Sequence, residues 1–263
     1  MATLVCFHAH PDDEAIATGG LMALAAAAGH RVVLVVATRG EHGEVVEGVL
    51  ADGEELWQRR VAETHAAADV LGTARVAFLG YVDSGMAGTP TNEAPESFCR
   101  ADVEEAAERL AALLEEERAD LLTCYDEIGG YGHPDHVQVH RVGLRAAAMA
   151  GVAVVQATIN RDHVRRGIEA QRAAGADDVP DLPDLDEHPE FGMPEAAITH
   201  QVDVRAAIDA KRRAMRAHAS QIPDSSLFLT MPNPVFTEAF GTEWFITEDE
   251  LPDAFADLFV PMR

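Results

Sequence analysis

Two short stretches of this 263-residue chain hold side chains able to do chemistry together: HAHPDDE at 8–14 and GGYGHPDHVQVH at 129–140. Each sets histidine and aspartate around a His-Pro step, and each follows an apolar run. Pro11 and Pro134 stop a strand and fit the first turn of a helix, so both clusters belong at strand-to-helix junctions. Imidazole nitrogens and carboxylate oxygens, with no cysteine nearby, suit a Zn²⁺ or Fe²⁺ ion held by two histidines and one carboxylate, with one coordination position open. An open position implies catalysis, since structural zinc is commonly closed by thiolates. Spacing does not choose the ligands, because His133 with His136 and His136 with His140 both share a helix face. A blander reading makes Asp12 a helix N-terminal charge and His10 a polar strand end. The second, distant cluster weighs against it.

The elements that must position these residues are legible as alternation. Apolar β-rich runs at 3–8, 31–38, 75–80, 120–125, 152–159 and 198–204 alternate with helical patterns at 15–29, 55–71, 101–118, 135–150, 161–174 and 204–219. Runs that are apolar throughout imply strands covered on both faces. The expected class is therefore α/β: a Rossmann-like three-layer sandwich with a mainly parallel sheet and helices on both faces. In such a sheet ligands gather beyond the carboxyl ends of the strands. HAHPDDE, TRGEHGE (38–44), GYVDSGMAGT (80–89) and DEIGGYGHPDH (126–136) all fall on that rim. No G-x-G-x-x-G follows the first strand, and neither a P-loop nor a G-x-S-x-G is present, which weakens dinucleotide, nucleotide and serine-hydrolase readings. One domain over 1–263 is expected, with a core of about 1–160 and the part from about 161 to 263 contributing to the pocket wall.

Composition narrows the partners. A net charge of −25, with Lys211 the single lysine, argues against a nucleic-acid backbone or an anionic membrane surface. The opening MATLVCF has no basic segment before a long apolar one, and no long uncharged apolar run occurs elsewhere, so no membrane insertion and a cytoplasmic location are expected. Cys6, Cys99 and Cys124 are too few and too scattered for a disulfide framework; Cys6 and Cys124 lie in apolar runs and read as buried. The acidic stretch 176–192 reads as an exposed loop. Nothing in the composition speaks against a homo-oligomer.

The loops HAHPDDE, TRGEHGE and GGYGHPDH resemble the signature loops of the PIG-L (LmbE-like) family of metal-dependent N-deacetylases, with weaker similarity at HASQI (218–222). The resemblance implies that His10, Asp13 and His136 bind Zn²⁺ or Fe²⁺ and that Asp12 is the general base. It implies that His133 is a protonated partner near the oxyanion or leaving amine, and that Tyr131 polarises the carbonyl. DSGMAGT (83–89) and GGYGHPDHVQVH are closest to the branch of mycothiol metabolism, in which an N-acetylglucosaminyl-inositol is deacetylated or a mycothiol conjugate is cleaved at its amide. By that similarity the partner is a small amino-sugar conjugate. Arg60 would then contact substrate, and Glu44 and Asp83 would accept from sugar hydroxyls. Glu14 is left between supporting a ligand and touching substrate, and His8 between supporting a ligand and plain burial. The segment 220–245 departs from that branch and is a candidate pocket wall. Two rivals remain. A metallo-β-lactamase-like hydrolase shares H-x-H-x-D, but Asp13 stands where that pattern has histidine. A sugar-binding protein without turnover would not need Asp12, Tyr131 and His133 together.

Overall fold

In the computed structural model the described residues are 1–173, 185, 187–188 and 190–262; most of the acidic stretch 176–192 lies outside them. The apolar runs form strands, and their burial explains their composition. β1 (Thr3–His8), β2 (Arg31–Val36), β3 (Arg75–Phe78), β4 (Leu121–Tyr125) and β5 (Ala153–Thr158) are all parallel, in the order β3-β2-β1-β4-β5. Every residue of β1 and β4 is buried, as helices on both faces require. Register fixes where the loops leave: His8 pairs with Val36, Val36 with Phe78, and Cys6 with Thr123, so β1, β2, β3 and β4 end at one rim.

Beyond β5 the sheet turns antiparallel. β6 (His200–Asp203), β7 (Thr242–Ile246) and β8 (Val260–Pro261) complete an eight-stranded sheet with β7 between β5 and β6. β7 and β8 carried no clear signal: β7 alternates half-buried and buried positions over five residues, and β8 is two residues long.

The helices form two separate layers. Gly19–Ala27, Leu56–Leu71 and Ile208–Ala217 pack together, while Val103–Glu117 packs on Pro134–Ala150. Val103–Glu117 shows why its sequence is helical: Asp102 caps its N-terminus by accepting from the Glu105 N–H. Ala106, Ala107, Leu110, Ala111 and Leu114 make one buried stripe. Truncating Leu110 to alanine there costs about 2–5 kcal/mol.

The helix expected over 15–29 is two, Asp13–Ala17 and Gly19–Ala27, broken at Thr18. Three contacts make the break. Thr18 Oγ1 bonds His8 Nε2 at 2.8 Å. Glu243 of β7 accepts from the N–H groups of Gly20 and Leu21 at 2.7 and 2.9 Å. Gly20 lies so close to Val204 that a Cβ would come within 2.3 Å of it. Among the described residues no helix is long and apolar enough to cross a membrane.

Candidate metal centre and active site

The rim after β1 is a strained turn. Asp12 has φ 100° and ψ −31°, a left-handed conformation that costs a non-glycine residue about 1–3 kcal/mol. Its neighbours hold it: the Asp12 N–H donates to Glu14 Oε2 at 3.0 Å, and Arg60 Nη2 donates to the Pro11 carbonyl at 2.6 Å. The Asp12 carboxylate lies 3.5 Å from the same Arg60 nitrogen. Asp13 turns inward, and its Oδ2 accepts the His10 N–H at 2.8 Å.

The rim after β4 supplies the second cluster. Gly129 adopts φ 67°, and a Cβ there would come within 2.6 Å of His136 Cβ; glycine lets the 129 carbonyl accept from His136 Nδ1 at 3.1 Å. His133 caps the helix Pro134–Ala150, its Nδ1 accepting the Asp135 N–H at 3.1 Å. The Tyr125 ring stacks on His136 at 4.5 Å.

Hydrogen bonds at the far side of each ring decide which nitrogen faces inward. The His136 Nδ1 proton is committed to Gly129, so its Nε2 lone pair points at Asp13 Oδ2, 3.3 Å away. His10 Nε2 sits 3.1 Å from Asp135 Oδ2 and 3.4 Å from Asp83 Oδ1, which leaves Nδ1 facing Asp13 Oδ2 at 3.4 Å. With His10 neutral, its Nδ1 lone pair, the His136 Nε2 lone pair and the Asp13 oxygen converge, an arrangement relieved by a cation, whether a proton on His10 or a metal ion. Ligands about 2.0–2.1 Å from a tetrahedral ion are themselves roughly 3.3 Å apart, which matches the two distances from Asp13 Oδ2 to the imidazole nitrogens. The donor set therefore fits a divalent ion. Two overlapping groups, His10 with His133 and His136, and His10 with Asp83 and Asp135, also bring possible ligand atoms together. In the second group Asp135 Oδ2 already accepts the Ser84 N–H and Asp83 accepts the Gly85 and His42 N–H groups, so these carboxylates serve as anchors for His10.

Charge in this cluster follows from burial and neighbours. Burial resists a charge on His10, yet Asp13, Asp135 and Asp83 outweigh it and raise its pKa well above the ordinary range. Asp13 is pulled well below the carboxylate range, its burial overcome by His136 and His10. A bound dication would favour the Asp13 carboxylate further and displace a proton from His10 Nδ1. Asp12, pushed by burial and the Asp13 charge against the opposing pull of Arg60, rises to about 6.

His133 departs from the charge expected of it. Burial, with His10 and His136 nearby, pulls its pKa to about 3, so the ring is neutral; a dication would act in the same sense. Because Nδ1 accepts from Asp135, the neutral ring carries its proton on Nε2 and remains a donor.

Other expected residues fall differently. Tyr131, 38% exposed, sits between Gly130 and Gly132 with its hydroxyl 3.5 Å from His136 Nε2. Its phenol is kept protonated, the pKa raised by burial and by Asp13. Glu44 is exposed on the rim. Arg60 and Asp83, expected to face substrate, are turned inward. Arg60 is 4% exposed and donates to Gly40 and Pro11 carbonyls, and Asp83, 3% exposed, is occupied by His10 and two backbone amides. Glu14 is fully buried against His218, 2.6 Å from Oε1 to Nε2. His8 bonds the Tyr125 hydroxyl at 2.7 Å and Thr18, and burial lowers its pKa to about 4. His140 faces the Tyr125 carbonyl. Asp135, Tyr125 and His218 were not singled out as site residues. Asp135 repeats the His-Pro-Asp pattern of the first cluster and His218 opens the HASQI stretch of weaker similarity, whereas Tyr125 offered no signal.

Comparison with known proteins bears on the family and the fold. The PIG-L family, described as GlcNAc-PI de-N-acetylase, matches residues 5–147. A relative from Acidothermus cellulolyticus, named 1D-myo-inositol 2-acetamido-2-deoxy-alpha-D-glucopyranoside deacetylase, is 41% identical over 93% of this chain and 88% of its own. Among solved structures, the N,N'-diacetylchitobiose deacetylase of Pyrococcus horikoshii aligns with TM-score 0.59 at 20% identity, covering 99% of this chain and 83% of the other. The 4-carboxy-2-hydroxymuconate hydratase of Pseudomonas putida aligns with TM-score 0.58 at 17% identity, covering 96% and 98%. A hydratase on the same fold means that the reaction must be argued from the site.

Proposed function

The chain belongs to the PIG-L family, and from that premise we propose that it hydrolyses the N-acetyl amide of an N-acetylglucosamine conjugate, with inositol the first aglycone to test. The observation that carries the reading is Asp13 Oδ2 facing His10 Nδ1 and His136 Nε2 at 3.4 and 3.3 Å, with Asp12 on the adjacent strained turn. The relative named for the inositol conjugate, at 41% identity over 93% of this chain, supports the substrate class.

His10, Asp13 and His136 would hold the ion, Zn²⁺ or Fe²⁺. When bound, it supplies a Lewis acid that acidifies water and polarises the amide carbonyl. Asp12 takes the proton of the attacking water, for which a pKa near 6 suits a base working at neutral pH. As the C–O bond forms, negative charge gathers on the former carbonyl oxygen. The Tyr131 hydroxyl and the neutral His133 Nε2–H are the donors that meet it, each worth roughly 3 kcal/mol in the barrier by analogy with oxyanion-hole donors. Asp12 then returns its proton to the departing nitrogen, the C–N bond breaks, and acetate and the free amine leave. Asp135 and Asp83 keep His10 oriented throughout.

The test is a panel of N-acetylglucosamine, its inositol conjugate, chitobiose and a mycothiol thioether, followed by amine release with bound metal quantified. Release from the inositol conjugate, falling about 10²–10⁴-fold in Asp12→Asn with metal retained, is the expected result. Preferential cleavage of the thioether would move the assignment to the conjugate-amidase branch. Full activity in Asp12→Asn would refute the mechanism.

A further inference from the structure

HASQ, 218–221, resembles a family motif but makes no contact with the metal donors described above, and the proposed chemistry gives it no task. Its surroundings do. Glu14 links it to the catalytic turn: one carboxylate oxygen accepts the Asp12 N–H at 3.0 Å, and the other lies 2.6 Å from His218 Nε2. Glu14 and His218 are both fully buried, and 204 residues separate them. Two residues on, the Ser220 N–H and hydroxyl both donate to Glu63, at 3.0 and 2.6 Å. Glu63 lies one turn beyond Arg60 on the helix Leu56–Leu71, and Arg60 grips the Pro11 carbonyl. Gln221 Nε2 donates to the Glu44 carbonyl at 2.9 Å, and the Val46 N–H donates to the Ser220 carbonyl at 3.3 Å. The segment thus braces the Asp12 turn, the helix that bears Arg60, and the loop after β2.

We propose that His218 is a positioning residue: through Glu14 it locks the left-handed Asp12 backbone so that the Asp12 carboxylate meets the attacking water, while Ser220 and Gln221 hold the surrounding walls. The inference rests on the reading of Asp12 as general base. A buried ion pair is a poor device for stability alone, because apolar residues of equal volume often serve as well or better. What an apolar pair would not supply is a fixed acceptor for the Asp12 N–H, and Asp12 has φ 100° to be held against.

The test compares His218→Ala, His218→Gln and Asp12→Asn, alone and combined, by metal content, kcat, KM and hydrogen–deuterium exchange of the peptide spanning 10–16. His218→Ala should retain metal and lose about 10- to 100-fold in kcat with KM changed less than about twofold, as misplacement of a catalytic group does. Exchange at 10–16 should accelerate while a β2 peptide stays unchanged. In His218→Gln the amide Nε2 can still donate to Glu14 and should recover most of kcat; should the alanine variant fail to fold, this variant carries the comparison. Placed on Asp12→Asn, the His218→Ala change should cost less than about twofold more, since the group it positions is already gone. Unchanged exchange at 10–16, or full multiplication of the two losses, would overturn the inference. A chain inactive on every amide in the panel, yet with accelerated exchange in His218→Ala, overturns the proposed function and leaves the brace standing.

Discussion

Lys211 and Glu243 form a buried ion pair 2.6 Å long, and the carboxylate is further satisfied by the N–H groups of Gly20 and Leu21. The cluster of His10, Asp13, Asp83, Asp135 and His136 is equally buried and does not close in this way. Asp13 Oδ2 faces two imidazole nitrogens, and Asp135 Oδ1 has no partner among the described residues. The first cluster matches one cation with one carboxylate and ties β7 to the N-terminus of the helix Gly19–Ala27. The second concentrates three carboxylates around one imidazole at the carboxyl ends of the strands. Both clusters bear the desolvation cost of buried charge. A closed set returns that cost as a rigid joint, whereas the open set leaves an excess of carboxylate around one imidazole, which a proton on His10 or a bound cation would offset.

Substitution should separate the two. Asp13→Ala removes the oxygen on which both histidines converge, and kcat/KM should fall roughly 10⁴-fold or more with loss of bound metal, while the thermal midpoint of the metal-free protein holds or rises. A drop in that midpoint as large as a core truncation would mean that Asp13 serves the fold. Lys211→Met should show the converse. It leaves Glu243 buried with only its amide donors, so unfolding free energy in denaturant should fall by about 3 kcal/mol, the low end for half of a buried pair, with kcat per folded molecule little changed. Asp135→Asn lies between them: the fold is kept, but His10 loses its charged anchor, and metal affinity or activity should fall about 10- to 100-fold in a metal-titration assay.

The sequence revealed these two clusters unequally. The stretches around His10-Pro11 and His133-Pro134 stand out because histidine and aspartate gathered about a His-Pro step at a strand end have few structural uses, while the choice of His10, Asp13 and His136 within them comes from the family resemblance. Asp135 hid in plain view, since an acidic residue in the first turn of a helix needs no further reason. Arg60 was expected to face a ligand because the family resemblance puts a substrate-contacting arginine at its position, and Asp83 because its carboxylate could accept from sugar hydroxyls. That they turn inward depends on carbonyls and amides of loops whose paths no local pattern encodes. The link from Glu14 to His218 spans 204 residues, and Lys211 with Glu243 spans 32, so neither leaves a periodic trace. The parallel half of the sheet was legible for the opposite reason: burial on both faces writes an unbroken apolar run into each strand. β7 was missed because its TEWFI pattern is half-exposed and short.

A third arrangement shows what solvent does to the same chemistry. Glu117 accepts from Arg31 Nε and Arg75 Nη1, each at 2.6 Å, and so joins the helix Val103–Glu117 to β2 and β3; the arginine side chains are 39% and 33% exposed. The hydrogen bond from Arg31, assisted by Arg75, holds the Glu117 carboxyl below its ordinary value of 4.5. The folded chain therefore keeps this carboxylate ionised at a pH where the unfolded chain has begun to protonate it. The stabilisation is complete above the unfolded value and disappears as the pH falls through the depressed folded one. Water and salt screen the half-exposed arginines, so the contribution should stay under about 1 kcal/mol. Denaturant titrations of wild type and Glu117→Gln should differ by that small amount at pH 7 and converge as the pH drops below 4.5. Added salt should narrow the gap at pH 7 while leaving the loss in Lys211→Met nearly intact, because a Debye length of about 10 Å at 0.1 M acts on exposed charges and scarcely on buried ones. Equal salt sensitivity in the two variants would erase the distinction between a closed interior pair and a surface one.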